Sequence, residues 1–259
     1  MATRDDQTPG PRRGRRREWL VPAGLILLTA VPVIAGADRV GQLASGGPVT
    51  PDNARFFSMP LPVVVHIISA SVFCFLGAFQ FVPSLRRRRP RWHRLAGRLL
   101  VPSGVAAALA GIWMTLFSEL PAGDDGLLTV FRLVFGSAMV LSLVLGFVAI
   151  LRRDVASHQA WMMRGYAIGV GAGTQVLTSL PADLILGRMP EGVLRALLLG
   201  AGWAINLAVA EWLLRRRPAR RARVATAPAP PTGARRRRPA APPAGGTGTP
   251  TPAAGTRRG

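Results

Sequence analysis

Cysteine is nearly absent from this chain of 259 residues, and lysine is entirely absent. The single Cys74 excludes an intrachain disulfide and any metal site built from several thiolates. We interpret it as a small apolar core residue. The chain also has no glycine-rich phosphate loop, no G-x-S-x-G nucleophile motif and no H-E-x-x-H zinc motif. These absences remove the signatures of common nucleotide-binding and hydrolytic enzymes, and they leave open whether the chain catalyses any reaction.

Acidic residues are also few, because 12 Asp and Glu stand against 33 basic residues and give a net charge of +21. Every basic residue is Arg, which indicates a GC-rich genome more than a binding surface. The arginines cluster beside apolar segments, so no nucleic-acid partner is expected.

Long apolar segments dominate what is present. Each is about twenty residues long, the length needed to cross roughly 30 Å of hydrocarbon. The six segments are Trp19–Ala37, Leu61–Val82, Leu95–Phe117, Leu127–Leu151, Ala160–Leu180 and Val193–Leu214. They predict an all-α, polytopic membrane protein with a bundle of six transmembrane helices over residues 19–214, embedded in the lipid bilayer.

The arginines also predict the topology. All but five lie at alternate junctions between the segments. Seven of the twelve acidic residues lie at the opposite junctions: Asp38, Asp52, Glu119, Asp124, Asp125, Asp183 and Glu191. The positive-inside rule then places both termini in the cytoplasm, as expected for a multi-pass protein of the bacterial cell membrane. The five exceptions are Arg39, Arg55, Arg132, Arg188 and Arg195.

The first segment has two interpretations. A basic start, an apolar stretch and Ala35-Gly36-Ala37 resemble a secretory signal with its cleavage site. The apolar stretch is long for a signal, so we favour a retained helix, and the topology of the other five helices is the same either way.

Both terminal regions have compositions typical of disorder. Residues 1–18 form an Arg-rich cytoplasmic arm, and residues 215–259 form a cytoplasmic tail of Arg, Pro, Ala, Gly and Thr. The position of the tail beside a membrane helix favours attraction to anionic lipid over nucleic acid.

The chain has only three histidines, and ionisable groups at membrane depth are candidates for function. His66 lies near the external end of the second segment. At helical spacing it shares a face with Ser69, Phe73, Gly77 and Gln80, so His66 and Gln80 are candidate site residues. The alternative is that these polar groups only hold neighbouring helices together.

His93 and His158 begin the third and fifth helices at the same cytoplasmic depth. They are candidate axial ligands of one b-type haem with a redox role. In this hypothesis glycines leave room for the macrocycle, and arginines pair with its propionates. The glycines are Gly97, Gly104, Gly165 and Gly169, and the arginines are Arg91, Arg94, Arg98 and Arg164. The alternatives are that the glycines serve close helix packing and that the histidines are interfacial, paired with lipid phosphate or Asp154.

Two further functions stay open from the sequence. Small-residue grooves with Gln80, Arg132, Thr174 and Gln175 fit a small-solute or ion transporter, which predicts a continuous polar path inward from His66. The basic tail fits a membrane scaffold that recruits lipid or a partner.

Two stretches are similar to a known family. Residues 66–98 read His-x10-Gly-x2-Gln-Phe-x-Pro-x-Leu-Arg and then Trp-His-Arg-x2-Gly-Arg, and residues 158–180 begin His-x2-Trp-Met-x-Arg-x-Tyr-Ala. Over about residues 60–185 the chain resembles the domain of unknown function 2306 family of predicted bacterial membrane proteins. The resemblance implies a polytopic membrane bundle and supplies no established activity.

Overall fold

A computed structural model describes residues 18–51, 53–120, 124 and 126–225, with side chains described up to residue 216. Within those residues the chain is helical and contains no strand. The helices are α1 Leu20–Ser45, α2 Ala54–Ser58, α3 Pro60–Gln80, α4 Pro83–Arg88, α5 Pro90–Phe117, α6 Gly126–Leu151, α7 Val155–Gly169, α8 Gly171–Leu186 and α9 Gly192–Ala225.

Five of these helices are long and apolar enough to cross a membrane: α1, α3, α5, α6 and α9 up to Arg216. The all-helical membrane architecture is therefore confirmed, whereas the count of six single helices is not. The predicted fifth helix is instead the pair α7 and α8, which meet at Val170. Neither member of the pair alone is 18 residues long.

Local sequence sets the helix ends. Pro60, Pro83 and Pro90 each begin a helix, where the missing backbone N–H costs nothing. Gly46 ends α1 with φ of 64°, a left-handed conformation that glycine adopts without a side-chain penalty. Asp154 begins α7, where its carboxylate accepts a hydrogen bond from the Ser157 amide at 3.0 Å.

The bundle packs around two fully buried side chains, Phe73 of α3 and Leu143 of α6. Helix α3 packs against α5, α6 packs against α5 and α7, and α1 packs against α3 and α8. Large apolar side chains such as Leu27, Ile34 and Ile185 point outward, which suits contact with lipid rather than water.

The two ends of the bundle differ in chemistry. We call the end that holds Glu18 and Arg216 the terminal end and the opposite one the loop end. At the terminal end the Ser84 amide donates a 3.0 Å hydrogen bond to Glu18. Hydrogen bonding by Ser84, first through its side chain and then through its amide, holds the pKa of that carboxyl below its ordinary value. Near it, the rings of Trp19 and Trp92 both meet Phe79 edge-on.

The last helix continues past the boundary expected at Leu214, since α9 reaches Ala225. Helix α9 therefore extends into the tail expected from Arg215 onward, and the disorder of that tail stays a prediction. The rest of the tail and the arm before Glu18 lie outside the described residues. Within the described chain, residues 18–218 belong to one compact unit, and the end of α9 from Ala219 belongs to a second.

Candidate functional site: a cavity at the loop end

A cavity of about 460 Å³ lies in the loop-end half of the bundle. Its size is that of a small-molecule binding pocket. Much of its wall is apolar, and it includes Val63, Ile67, Ile112, Met139 and Trp203. The polar groups stand out against this background: they are mainly three arginines, His66 and Gln175. We call this the loop-end cavity.

The arginines meet around a single buried carboxylate. Asp124 has no exposed side-chain surface, and its Oδ1 accepts a 2.7 Å hydrogen bond from Nε of Arg195. Its Oδ2 lies 2.6 Å from Nη2 of Arg132. The two atoms form an ion pair, but the N–H group of Arg132 does not point at Oδ2 as a hydrogen bond requires. One loop residue therefore ties α6 to α9 beside the cavity.

Arg55, on the short helix α2, is the third arginine. Its guanidinium stands 4.5 Å from the centre of the Phe56 ring, and its buried Nε has no hydrogen-bond partner among the described residues. Burial away from water lowers the pKa of Arg55, and the nearby carboxylate of Asp124 opposes that effect. Arg55 is thus a charged group with unused hydrogen-bonding capacity beside an apolar space.

His66 lines the same cavity from α3. Its Nδ1 lies 2.8 Å from the carbonyl oxygen of Ala107 on α5, against the flat surface left by Gly111. A carbonyl can only accept, so Nδ1 carries the hydrogen and donates it. In the neutral ring Nε2 is then an acceptor, and it has no partner among the hydrogen bonds of the described chain.

The cavity ends inward on packed side chains. Phe73, Cys74 and Gly169 line its floor. Just beyond, Leu143 and Tyr166 are buried, and the Tyr166 hydroxyl donates to the Cys74 carbonyl at 2.8 Å. The continuous polar path expected of a transporter is absent from this part of the described bundle, which counts against that hypothesis.

The break between α7 and α8 also borders the cavity, through Gly169 and Gly173. Side chains satisfy the backbone groups that the break leaves unpaired, as membrane interiors require. The Asn206 amide donates to the Ala167 carbonyl at 3.1 Å and accepts from the Thr174 hydroxyl at 2.8 Å. Helix α9 therefore holds the break in place.

The structure separates the three histidines as predicted, with His66 at the loop end and the other two at the terminal end. His93 and His158 lie near enough for the charge of one to act on the other. His158 donates from Nδ1 to the Gly146 carbonyl at 2.8 Å, and Nδ1 of His93 is buried without a partner within the described chain.

Three of the glycines between them lie against other side chains. A Cβ added to Gly104 would lie 2.6 Å from both Phe73 and Leu143, and one on Gly165 would lie 2.9 Å from Leu143. At Gly169 the nearest atom is again Phe73, at 2.5 Å. Protein side chains fill the space beside these three glycines, which is the close packing given as the alternative. Haem clearance at these glycines stays a prediction, and this packing counts against it.

Gly97 differs, since a Cβ added there would meet nothing within 4 Å. Arg94 and Arg98 are exposed on the same helix. Arg164 is already paired through two hydrogen bonds to Glu211, which counts against its assignment to a free propionate. Ligation by the two histidines is untested and stays a prediction.

Gln80 was singled out with His66, but it lies at the other end of α3. Its Nε2 is buried without a hydrogen-bond partner in the described part of the chain. The predicted face of α3 is nevertheless the one turned to the bundle. Phe73 is buried there, and Gly77 leaves only enough space for the ring of Tyr166.

Sequence reasoning missed Arg55, Arg195 and Asp124 as a set. A signal was present, because all three were assigned to the same side of the membrane, where arginine is scarce. Their meeting depends on how α2, α6 and α9 are arranged, which charge patterning does not specify. Among the described residues, no group of three or more His, Cys, Asp or Glu could hold a metal ion.

Comparison with known proteins gives one match. A family described as predicted membrane protein (DUF2306) matches residues 63–214, which contain most of α3, all of α5 and most of the cavity wall. No curated protein and no solved structure matches the chain. The match covers more than half of the 259 residues and agrees with the motifs around His66, His93 and His158. The chain therefore belongs to the DUF2306 family of membrane proteins.

Proposed function

We propose that this membrane protein binds a small amphipathic anion in the loop-end cavity. The observation that carries the proposal is an imbalance of charge in an apolar space. Arg55, Arg132 and Arg195 border the cavity, and among the described residues the carboxylates beside them are the buried Asp124 and the exposed Glu119. A buried positive charge without a full partner is costly, and a bound anion would offset that cost.

The shape of the lining supports an amphipathic ligand rather than a free inorganic ion. The arginines lie toward the loop end of the cavity, and apolar side chains including Met139 and Trp203 lie deeper. A carboxylate, sulfonate or phosphate head would meet guanidinium donors, which suit planar oxyanions. The tail would then extend toward Phe73.

Three parts of the architecture belong to this proposal. We propose that α7 and α8 together form the sixth crossing, and that the terminal end faces the cytoplasm of a bacterial cell. The exposed arginines of the terminal end, including Arg86–Arg89, would then meet anionic lipid. The loop-end cavity would face the outside.

Brominated amphiphiles provide a direct test, because bromine on a tail in the cavity would quench the fluorescence of Trp203. With the purified protein in lipid nanodiscs, we expect saturable quenching by ω-bromodecanesulfonate and none by the matched ω-bromodecyl-trimethylammonium. The variant Trp203→Phe should lose the saturable part. Equal quenching by the cation and the anion would contradict the proposal.

Arginine variants locate the headgroup. We expect Arg132→Gln to weaken sulfonate binding by about tenfold or more, since a hydrogen bond to a charged group contributes about 1.5–3 kcal/mol. Arg188→Gln is the matched control, because Arg188 is an exposed loop-end arginine paired only with Glu191 at 3.7 Å. The same affinity in both variants would refute the assignment of the headgroup.

A further inference from the structure

His66 is a polar group of the cavity that the proposed anion site does not use, and its hydrogen bonding within the described residues leaves one nitrogen free. Nδ1 is committed to the carbonyl of Ala107, and Nε2 is the atom that can still take up a proton. The carbonyl bond also fixes the ring, since the imidazole cannot flip without losing it.

The charges that face this ring come from several helices. Arg55 of α2, Arg132 of α6 and Arg195 of α9 line the cavity with it, and Glu119 follows the end of α5 at the exposed rim. The lining residues of α1, α7 and α8 carry no charge. Asp124 is bound by two of the arginines. In the empty cavity the guanidinium groups therefore oppose a further positive charge on His66.

An anion in the cavity reverses this balance. The side chains of His66 and Arg132 line the same cavity, and Arg132 reaches from α6 toward the loop end to pair with Asp124. A headgroup bound by Arg132 thus lies in the space that the imidazole borders. Its negative charge would favour protonation of Nε2.

We infer that the loop-end cavity binds one anion together with one proton, which His66 holds at Nε2; this rests on the anion site proposed above. The ligand class is then a lipophilic weak acid that enters as a neutral species. On binding, the O–H bond of the acid breaks and an N–H bond forms at Nε2. The products are a carboxylate beside the arginines and an imidazolium, and no electrons are exchanged.

Proton uptake with a ligand that has no proton of its own tests this directly. ω-Bromodecanesulfonate is added to the protein in nanodiscs in weak buffer at about pH 7.5, above the ordinary pKa range of an imidazole. A pH indicator should report about one proton consumed for each sulfonate bound. His66→Gln keeps an amide donor for Ala107 and should bind sulfonate without consuming a proton.

Two control variants show where the proton goes. Glu119→Gln and His158→Gln should leave the consumption unchanged. Binding without proton consumption, or consumption that survives His66→Gln, would overturn this inference and leave the anion site standing. Absence of sulfonate binding to the unaltered protein would overturn both.

The unaltered protein alone supplies a second measurement, so the test does not depend on the folding of His66→Gln. If one proton binds with each anion, the sulfonate affinity should fall about tenfold per pH unit above the pKa of His66. An affinity that is constant with pH would refute the inference.

Discussion

At Gly104 the bundle has no space for one more methyl group. Its missing Cβ would lie 2.6 Å from Phe73 and from Leu143, and both side chains are fully buried and enclosed by other helices. We expect Gly104→Ala to lower the free energy of unfolding by about 1–3 kcal/mol, the usual cost of overpacking a core. The free energy of unfolding is measured by unfolding the purified protein in increasing mole fractions of dodecyl sulfate.

Gly97→Ala is the matched control, because Gly97 lies on the same helix with nothing within 4 Å of an added Cβ. That variant should unfold like the original protein or slightly later, since alanine favours helix. Equal destabilisation of the two variants would show that space around Gly104 is not the cause.

The same residues show how far the sequence predicts the core. The spacing of Gly104, Gly165 and Gly169 correctly marks faces that turn inward, because only small residues allow helices to approach closely. The spacing does not predict which side chain fills each groove. Phe73 of α3 fills the space beside both Gly104 and Gly169, which lie on two other helices. These contacts form only when α3 packs against those helices.

Haem ligation by His93 and His158 is a separate prediction at this scale. Its remaining support is the closeness of the two imidazoles, the free Nε2 of His158 and the open space beside Gly97. The prediction requires a Soret band in protein purified from haem-supplemented cells. His93→Ala with His158→Ala should abolish the band. A preparation without a Soret band would contradict the haem hypothesis.

At the scale of elements, the break at Val170 is the main departure from the expected architecture. The sequence predicts one helix over Ala160–Leu180 because the segment is predominantly apolar and contains no proline. The physical reason for the break is tertiary. Asn206, on another helix, donates a hydrogen bond to the Ala167 carbonyl, so this carbonyl is not left unpaired at membrane depth.

We therefore expect Asn206→Leu to destabilise the α7–α8 pair. The substitution leaves the Ala167 carbonyl and the Thr174 hydroxyl without their partner, and such losses in membrane bundles cost about 0.6–2 kcal/mol. Hydrogen exchange of the backbone amides of α8 should speed up relative to α6. Ile205→Ala, on the neighbouring half-exposed residue of α9, should leave exchange in α8 unchanged.

The start of α7 carries a pH-dependent contact. Hydrogen bonds from Ser157 hold the pKa of Asp154 below its ordinary value. A carboxyl whose pKa is lower in the folded state stabilises the fold at pH values above the unfolded pKa, and that contribution is lost as pH falls through the folded pKa. Asp154→Ala should therefore unfold more readily than the original protein at neutral pH, and the difference should shrink in acid to the part that does not depend on charge.

Asp154→Asn separates the cap from its charge. An asparagine also accepts the hydrogen bond of the Ser157 amide but does not titrate. The stability difference between the original protein and this variant should therefore change with pH through the acid range, whereas that between Asp154→Asn and Asp154→Ala should stay constant. A constant difference in the first comparison would show that the charge contributes nothing.

For the whole molecule, the distribution of arginine carries most of the information in the sequence. It predicts which helix ends lie together, and the structure agrees: Arg87 meets Glu18 at one end, and Arg132 meets Asp124 at the other. The few loop-end arginines looked like exceptions to a topology rule. Three of the five, Arg55, Arg132 and Arg195, instead converge on the cavity, which is why a charge count alone could not identify the site.

The single buried cysteine allows the topology to be tested by labelling. In a Cys74→Ala background, Arg152→Cys and Arg188→Cys place one thiol at each end of the α7–α8 pair, on side chains that are exposed. If the pair crosses the bilayer with the terminal end inside, as proposed, a membrane-impermeant maleimide should label Arg188→Cys on intact cells and Arg152→Cys only after permeabilisation. The unaltered protein, whose thiol is buried, should stay unlabelled until it is denatured. Labelling of both thiols from the same side would show that α7 and α8 do not cross the bilayer together. Labelling of Arg152→Cys on intact cells and of Arg188→Cys only after permeabilisation would confirm the crossing but reverse the orientation. The loop-end cavity would then face the cytoplasm.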